Sequence, residues 1–258
     1  MKITFLGTGT SSGIPLIGCD CAVCQSDDPK DRRLRTSVFV EVNGWNILID
    51  IGPDFRQQML NAKIKRIDAV LLTHEHNDHI IGLDEIRAFN FLQKETIPIY
   101  ASKRVIAELQ QRFSYLFQEE LYPSAPRIEV REVRKEEIIQ FKGLNIKPIE
   151  YFHDFNHRWP VMGYRIQDFS YLTDFKSIEE AELLKTKGTK LLVISAVTQA
   201  AHRSHLNLAE ALDWASKIQA VQTYFIHMDH RMGLHRSVQA MLPDRVDLSY
   251  DGLEVALD

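Results

Sequence analysis

The feature that most restricts how this chain can fold is the run Thr73–His79, which reads Thr-His-Glu-His-Asn-Asp-His and directly follows the apolar segment 67–72. The apolar segment predicts a buried β-strand, and an extended backbone directs His74 and His76 to the same side. The turn that follows adds an aspartate and a third histidine. Imidazole nitrogens and carboxylate oxygens bind zinc, iron or manganese. The run therefore predicts ligands for two neighbouring metal ions at one strand end.

The other histidines are also grouped. The chain has ten histidines, and those beyond the run lie at positions 153/157, 202/205 and 227/230/235. A lone buried histidine usually satisfies a backbone hydrogen bond, but repeated groups favour a metal site. His235 stands near the start of a predicted helix, and we expect it to be an ordinary surface residue.

Three cysteines lie within six residues, at Cys19, Cys21 and Cys24. An odd number of closely spaced cysteines is a poor disulfide framework. Thiolates are soft ligands that favour zinc, and structural zinc sites have four ligands. The spacing therefore predicts a structural zinc site that needs a fourth ligand from elsewhere, with free, redox-active thiols as the alternative.

The remaining pattern alternates strands with helices and contains no linker rich in glycine, proline or serine. It predicts one α/β domain over residues 1–258, in which two β-sheets pack face to face with helices outside, although periodicity alone also permits a doubly wound sheet. The dipeptide Asn43-Gly44 predicts a hairpin. The predicted helices span 83–93, 102–118, 177–186, 207–217 and 234–241. The aromatic segment 112–123 is interpreted as a helix on the core, or alternatively as a lid or dimer face.

Charge and hydropathy restrict the partners. The net charge is −4 and the sequence pI is about 6.2, which argues against nucleic acid as a partner. No apolar run approaches the roughly 20 residues that a membrane helix needs. The first residues do not resemble a signal peptide. We therefore expect a cytoplasmic protein without a membrane partner.

The histidine run has the pattern His-x-His-x-Asp-His, and through it the chain resembles the metallo-β-lactamase superfamily over nearly its whole length. The opening Phe5–Gly13 is similar to that of the superfamily's phosphodiesterases. Ile47–Asp50 followed by Gly52 resembles a second marker, in which the aspartate braces the metal loop. Tyr171–Asp174 resembles the motif of the bridging aspartate. The alternative interpretation is that Asp50 caps the end of a strand and that Asp174 caps a helix.

This resemblance implies an αββα sandwich of two β-sheets flanked by helices. It also implies the metal ligands His74, His76, Asp78, His79, His153, Asp174 and His227. The third histidine stays open between two candidates. His153 follows the better-matching strand, but Asp154–Asn156 are extra relative to the usual pattern, and counting back from Gly163 selects His157 instead.

The cysteines narrow the resemblance to one branch. The cysteine loop together with His227–His230 is similar to the phosphoribosyl 1,2-cyclic phosphate phosphodiesterase branch of the superfamily. In that branch a histidine at the position of His230 completes the structural zinc site with the three cysteines. The implied site, Cys19, Cys21, Cys24 and His230, would join the N-terminal loop to the chain beside an active-site ligand.

The implied activity is that of a dinuclear phosphodiesterase. Two divalent ions, zinc or manganese, would support attack of a metal-bridging hydroxide on a small cyclic phosphodiester. Asp78 is counted among the catalytic residues as well as the metal ligands. The segment Ala201–Asn207 resembles the one that supplies the general acid, with His205 favoured and His202 next. Arg203 and His157 are candidate substrate-binding residues.

Two other classes of function stay open. A tRNA 3′-end nuclease, a lactonase or a thioesterase could use the same fold and metals. A metal-binding regulator without catalysis is the more remote alternative, because every expected ligand has a candidate. A homodimer is possible.

Overall fold

The computed structural model describes residues 1–120 and 122–257. Its fourteen described strands are β1 Lys2–Gly7, β2 Ser37–Val42, β3 Trp45–Ile49, β4 Ala69–Leu71, β5 Ile97–Ala101, β6 Ile128–Glu132, β7 Ile139–Phe141, β8 Leu144–Phe152, β9 Pro160–Ile166, β10 Phe169–Leu172, β11 Leu191–Ser195, β12 Gln222–Ile226, β13 Val246–Leu248 and β14 Glu254–Ala256. The α-helices of these residues are α1 Phe55–Ala62, α2 Asn77–Ile80, α3 Arg87–Gln93, α4 Lys103–Arg112, α5 Glu180–Leu183, α6 Leu208–Ile218 and α7 His235–Gln239. None of them is long and apolar enough to cross a membrane.

The strands form two mixed sheets of seven strands each. The first has the order β14-β1-β2-β3-β4-β5-β6, and the second has the order β13-β12-β11-β10-β9-β8-β7. The expected hairpin joins β2 to β3, where Asn43 and Gly44 have φ values of 51° and 81°. Two successive left-handed residues are what a two-residue hairpin turn requires, so the local sequence fixes this register.

The core lies in three layers. Ile49 and Leu71 of the first sheet face Tyr164 and Val193 of the second, and all four are fully buried. The outer face of the first sheet is covered by helices α1, α3 and α4, and that of the second mainly by α6 and α7. This confirms an α/β fold with an αββα arrangement and rules out a single doubly wound sheet.

Four predicted helices are shorter than expected, including 234–241, of which α7 covers only His235–Gln239. The prediction 102–118 was wrong beyond Arg112, because Phe113 leaves the helical region at φ −119° and ψ 41° and places its side chain in the core. A 3-10 turn, Ser114–Phe117, follows. The predicted helix 177–186 is reduced to α5 and a 3-10 turn, and 83–93 begins as a 3-10 helix before α3. The predicted lid or dimer face 112–123 includes Leu121, which lies outside the described residues.

Strand direction brings the chemistry-bearing loops together. Strand β9 is antiparallel to both β8 and β10, while β10, β11 and β12 are parallel to one another. The carboxyl ends of β8, β10, β11 and β12 therefore lie along one edge of the second sheet. The backbone N–H of Met162 donates to the carbonyl oxygen of Thr73 at 2.9 Å, so the loop after β4 meets this edge.

Candidate metal centre

The loop after β4 is held by a buried aspartate at the end of β3. Asp50 is fully buried with φ 64°. Its carboxylate accepts hydrogen bonds from the Thr73 backbone N–H at 2.8 Å and the Thr73 hydroxyl at 2.9 Å, and it lies 2.7 Å from Nδ1 of His79. This contact leaves Nε2 of His79 directed away from Asp50. The arrangement matches the bracing role expected for Asp50.

Two glycines let this loop lie against the end of β3. A Cβ atom on Gly52 would lie 2.1 Å from the carbonyl oxygen of Asp78, and one on Gly82 would lie 2.1 Å from the carbonyl oxygen of Gly52. A side chain at Gly52 would therefore displace the backbone of the candidate ligand Asp78, and one at Gly82 would displace the backbone that follows Asp50.

A first group of possible ligands comprises His74, His76, His153 and Asp174, whose ligand atoms all lie within 4.8 Å of one another. Nε2 of His74 is 2.9 Å from Nδ1 of His76. Nδ1 of His153 lies 2.7 Å from the carbonyl oxygen of Ser204, and its Nε2 is 3.3 Å from Oδ1 of Asp174. The Ser204 carbonyl therefore orients Nε2 of His153 towards the group.

A second group comprises Asp78, His79 and His227. Oδ2 of Asp174 is 3.2 Å from Nε2 of His79 and 3.2 Å from Nε2 of His227. The two carboxylate oxygens of Asp174 therefore face different groups, Oδ1 towards His153 and Oδ2 towards the second group. This geometry suits a carboxylate shared by two cations.

The donor set fits two divalent cations. Nε2 of His79 and Nε2 of His227 are buried without a hydrogen-bond partner among the described residues. Leaving such polar atoms unpaired is costly, and a cation would satisfy them. Burial raises the pKa of Asp174, but His227 and His79 outweigh this effect and hold it well below its usual range. The carboxylate is thus ionised and able to bind a cation.

His153 and His157 are placed very differently. His153 is buried in the first group, whereas His157 is exposed at φ 55° and stacks on Phe152, with ring centroids 4.1 Å apart. The structure therefore brings His153, and not His157, to the other candidate ligands. His157 is also absent from the lining of the adjoining cavity.

Both candidate acids lie beside the groups. Nδ1 of His205 is 3.5 Å from Oδ1 of Asp174, and it is buried without a hydrogen-bond partner among the described residues. Together with Asp174 and His227 it forms a further possible ligand group, which sequence reasoning missed. The ring of His202 lies 4.9 Å from that of His205 and is half-buried. Burial lowers the pKa of both imidazoles, that of His205 to about 2.

A cavity of about 500 Å³ opens beside His76 and His153. Its other lining residues come from two loops, Asp154–Trp159 after β8 and Arg203–Ser204 after β11, with His157 excepted. Arg203 is exposed and has no carboxylate partner among the described residues, which is consistent with its predicted role in binding an anion. A substrate in this cavity would contact the first ligand group through His76 and His153.

The cysteine cluster is separate from this centre. Cys19, Cys21, Cys24 and His230 form a possible four-ligand group, with Nδ1 of His230 3.4 Å from Sγ of Cys19 and 3.2 Å from Sγ of Cys21. A hydrogen bond from the backbone of Cys24 and the His230 ring lower the pKa of Cys21 to about 6. This set of soft ligands fits a structural zinc ion.

The expectation that His235 is a surface residue was wrong. His235 is buried beneath the N-terminal loop, where its Nδ1 lies 3.1 Å from the Arg33 guanidinium and its backbone N–H donates to Asp31 at 2.6 Å. Arg33 also donates to the Thr8 hydroxyl and the Ser249 carbonyl oxygen, each at 2.7 Å. These contacts depend on long-range packing that helical periodicity does not reveal.

Comparison with known protein sequences identifies the family. The profile described as the beta-lactamase superfamily domain matches residues 45–228. A protein from Porphyromonas gingivalis named octanoyltransferase is 38% identical over 260 residues, which cover all of this chain and 52% of that protein. The chain thus spans about half the length of this relative. Ribonuclease Z from Archaeoglobus fulgidus is 30% identical over 151 residues, covering 56% of this chain and 42% of that protein.

Solved structures agree with this assignment. A crystal structure described as a new diphosphatase from the PhnP family, the phosphoribosyl cyclic phosphate phosphodiesterase branch, has a TM-score of 0.91 and 38% identity, covering 98% of this chain and 96% of that one. Zinc-bound PqqB from Methylobacterium extorquens has a TM-score of 0.80 and 18% identity over 100% of both chains, which shows a shared fold. The chain therefore belongs to the metallo-β-lactamase superfamily and has its fold.

Proposed function

We propose that this protein is a dinuclear metal-dependent phosphodiesterase that cleaves a small phosphodiester. The observation that carries the proposal is the position of Asp174, whose two carboxylate oxygens face separate histidine groups. A carboxylate placed in this way could be shared by two divalent cations and would offset their mutual repulsion. The likeness to the PhnP-family diphosphatase supports phosphorus chemistry.

Each part of the site has a proposed role. His74, His76 and His153 would hold one cation, Asp78, His79 and His227 the other, and Asp174 both. When bound, the cations supply Lewis acidity and lower the pKa of a bound water. Asp50 and the Ser204 carbonyl orient ligand imidazoles, and such outer contacts strengthen metal affinity. The side chains of Asp174 and His79 are buried in surroundings of low dielectric constant, which strengthens these electrostatic interactions.

The leaving alkoxide needs a proton, which we assign to His205, with His202 as the second candidate. Of the two candidates, His205 lies nearer to Asp174, and His202 lies behind it, closer to solvent. An anionic diester in the cavity raises the pKa of a nearby imidazole, because an opposite charge favours the protonated form. Arg203 would bind a non-bridging phosphate oxygen. His157, the other candidate for substrate binding, stacks on Phe152 outside the cavity lining and stays a prediction.

The second candidate is RNA 3′-end cleavage, which the partial likeness to ribonuclease Z supports. The test is a panel of bis(p-nitrophenyl) phosphate, 2′,3′-cyclic AMP, a tRNA precursor, a lactone and a thioester, assayed with zinc and with manganese. We expect metal-dependent hydrolysis of the small diesters and its loss after chelation. Precursor cleavage alone would support the nuclease, and turnover of only the lactone or thioester would contradict phosphodiester chemistry.

We further propose a cytoplasmic location, one domain over residues 1–258, a homodimer, and a structural role for a zinc ion bound by the cysteine cluster. Failure of the whole panel with either metal would instead favour the non-catalytic regulator.

A further inference from the structure

The loop between β8 and β9 exposes two large aromatic side chains beside the metal centre. Phe155 is 67% exposed and Trp159 is 46% exposed, and both line the cavity that opens at His76 and His153. Grouped exposed aromatic side chains next to a cavity are typical of binding sites, because their apolar surface gains from being covered. These two rings have no task in metal binding.

Each ring is supported by a cation. Nζ of Lys176 lies 4.8 Å from the ring centroid of Phe155, and the Arg104 guanidinium lies 4.5 Å from that of Trp159. Arg104 is itself fixed by Glu75, at 2.6 and 2.7 Å. A ring with a cation on one side keeps its other surface for a planar ligand, and the cation restricts its movement.

The same cavity carries positive charge. The exposed side chains of Arg158 and Arg203 both line it. Arg158 is ion-paired with Asp154 at 3.2 Å, whereas Arg203 has no such partner in residues 1–120 and 122–257. Aromatic rings beside a cationic group match a ligand that joins a planar base to a phosphate.

We propose that this cavity binds a nucleotide substrate, with its nucleobase against Phe155 and Trp159 and its phosphate at the metal centre. The proposal rests on the proposed function, because it places the phosphate at the metals. Stacking is possible for any base, so the cavity would select nucleotides as a class without reading sequence.

The test uses two probes that share ribose and phosphate. AMP and ribose 5-phosphate differ only in the adenine, and their dissociation constants are measured by calorimetry on the zinc-loaded protein. We expect AMP to bind at least about tenfold more tightly, from a stacking contribution of the usual size. The double variant Phe155→Ala/Trp159→Ala should lose this preference and bind ribose 5-phosphate as before. Phe91→Ala, an exposed phenylalanine on α3, is the matched control.

Equal affinities in the wild type would overturn the proposal. So would a double variant in which both affinities fall together, because the loop would then only support the metal centre. An AMP preference in a protein that hydrolyses no diester would uphold the base site and contradict the proposed function alone.

A second inference comes from Lys176, a buried lysine two positions after Asp174 in the chain. Lys176 is 3% exposed, and its ammonium donates to the carbonyl oxygens of His202 at 3.0 Å and His205 at 2.9 Å. Its remaining hydrogen bonds are to the Glu210 carboxylate, at 2.9 and 3.0 Å. A buried ammonium is costly unless it is fully paired, and here every hydrogen-bond partner lies on the segment that carries the candidate acids or directly follows it, while the ring of Phe155 lies against the ammonium from the loop after β8.

The anchor of this segment is rigid. Glu210 forms a capping box with Asn207 at the start of α6, so its carboxylate is fixed by the helix. Lys176 thereby connects α6 to the backbone of both histidines. We infer that Lys176 is a positioning residue that sets the imidazoles of His202 and His205 for proton delivery to the leaving group. This inference also rests on the proposed function.

The dependence on the leaving group tests it. Nitrophenolate leaves without a proton, whereas the ribose alkoxide of 2′,3′-cyclic AMP needs one. For Lys176→Met we expect kcat to fall by about 100-fold or more with cyclic AMP and by less than about tenfold with bis(p-nitrophenyl) phosphate, given the usual contribution of a general acid. Lys190→Met, at a surface lysine paired with Asp168, is the matched control.

An equal fall with both substrates would overturn the inference, because it would indicate a purely structural lysine. If Lys176→Met does not fold, Lys176→Arg keeps the charge but replaces the single nitrogen, and it should give the same pattern with a smaller fall. Absence of wild-type hydrolysis would contradict the proposed function instead.

Discussion

The central metal-ligand groups and the cysteine cluster contrast in how they are assembled. The central ligands are mostly buried and come from loops after β4, β8, β10 and β12. In the cysteine cluster, three half-buried or buried ligands come from one loop, and the fourth is His230, three positions after His227. The two sheets thus create the central site, whereas the cysteine loop has little regular structure of its own and depends on its ligands for shape. We expect metal loss to affect activity at the first and local folding at the second.

The largest effect should come from Asp174→Asn. The amide cannot offset the repulsion between two cations, so we expect metal content at the centre to fall and kcat to drop by about 1000-fold or more. Metal analysis and diester hydrolysis measure both. Asp213→Asn, at an exposed aspartate of α6, should change neither. Retained metals with full activity would contradict a shared carboxylate.

The next effect concerns the cysteine cluster. The variant Cys19→Ser/Cys21→Ser/Cys24→Ser should lose one zinc per chain, keep the central metals and unfold at a Tm lower by roughly 5–10 °C, because binding free energy contributes to folding. Metal analysis and thermal unfolding measure this. Two metals per chain in both the wild type and the triple variant would contradict the cysteine site. Loss of all metals from the variant would show that the metal centre depends on the cysteine cluster.

A smaller effect should follow Asp50→Asn, which keeps the shape of the brace but weakens its bond to His79. We expect a 10- to 100-fold lower metal affinity, the usual range for such outer contacts. Competition with a chelator measures it. An unchanged affinity would mean that backbone geometry alone orients His79.

The smallest effect concerns pH and the buried histidine beneath the cysteine loop. Burial, followed by Arg33, lowers the pKa of His235 to about 4, whereas the unfolded chain takes up the proton near pH 6.5. Its contribution to stability is therefore present above pH 6.5 and is lost as the pH falls towards 4. Between pH 7 and pH 5 this loss is about 1–2 kcal/mol. We expect the free energy of unfolding of His235→Gln, measured with urea, to fall less between pH 7 and pH 5 than that of the wild type. An equal fall would show that another group causes the pH dependence.

The sequence predicts the site best where its signal is local. The run after β4 lies within seven residues, and the hairpin depends on two, so spacing and turn chemistry suffice. The choice between His153 and His157 could not be made from spacing, because it depends on which side of a loop turns inward. The contacts of Lys176 and His235 could not be predicted from the sequence pattern, because their partners lie up to 204 residues away and only the packed sheets bring them together.

The cysteine cluster also has a consequence for the order of synthesis. Cys19 and His230 are separated by 211 positions, so a ribosome releases the thiols long before the imidazole that faces them. At the usual rate of translation this interval is roughly 10–40 s. During that time the nascent chain presents three unsheltered thiols to any metal or oxidant in its surroundings. Cellular handling of this protein should therefore be most sensitive to zinc supply while it is being made.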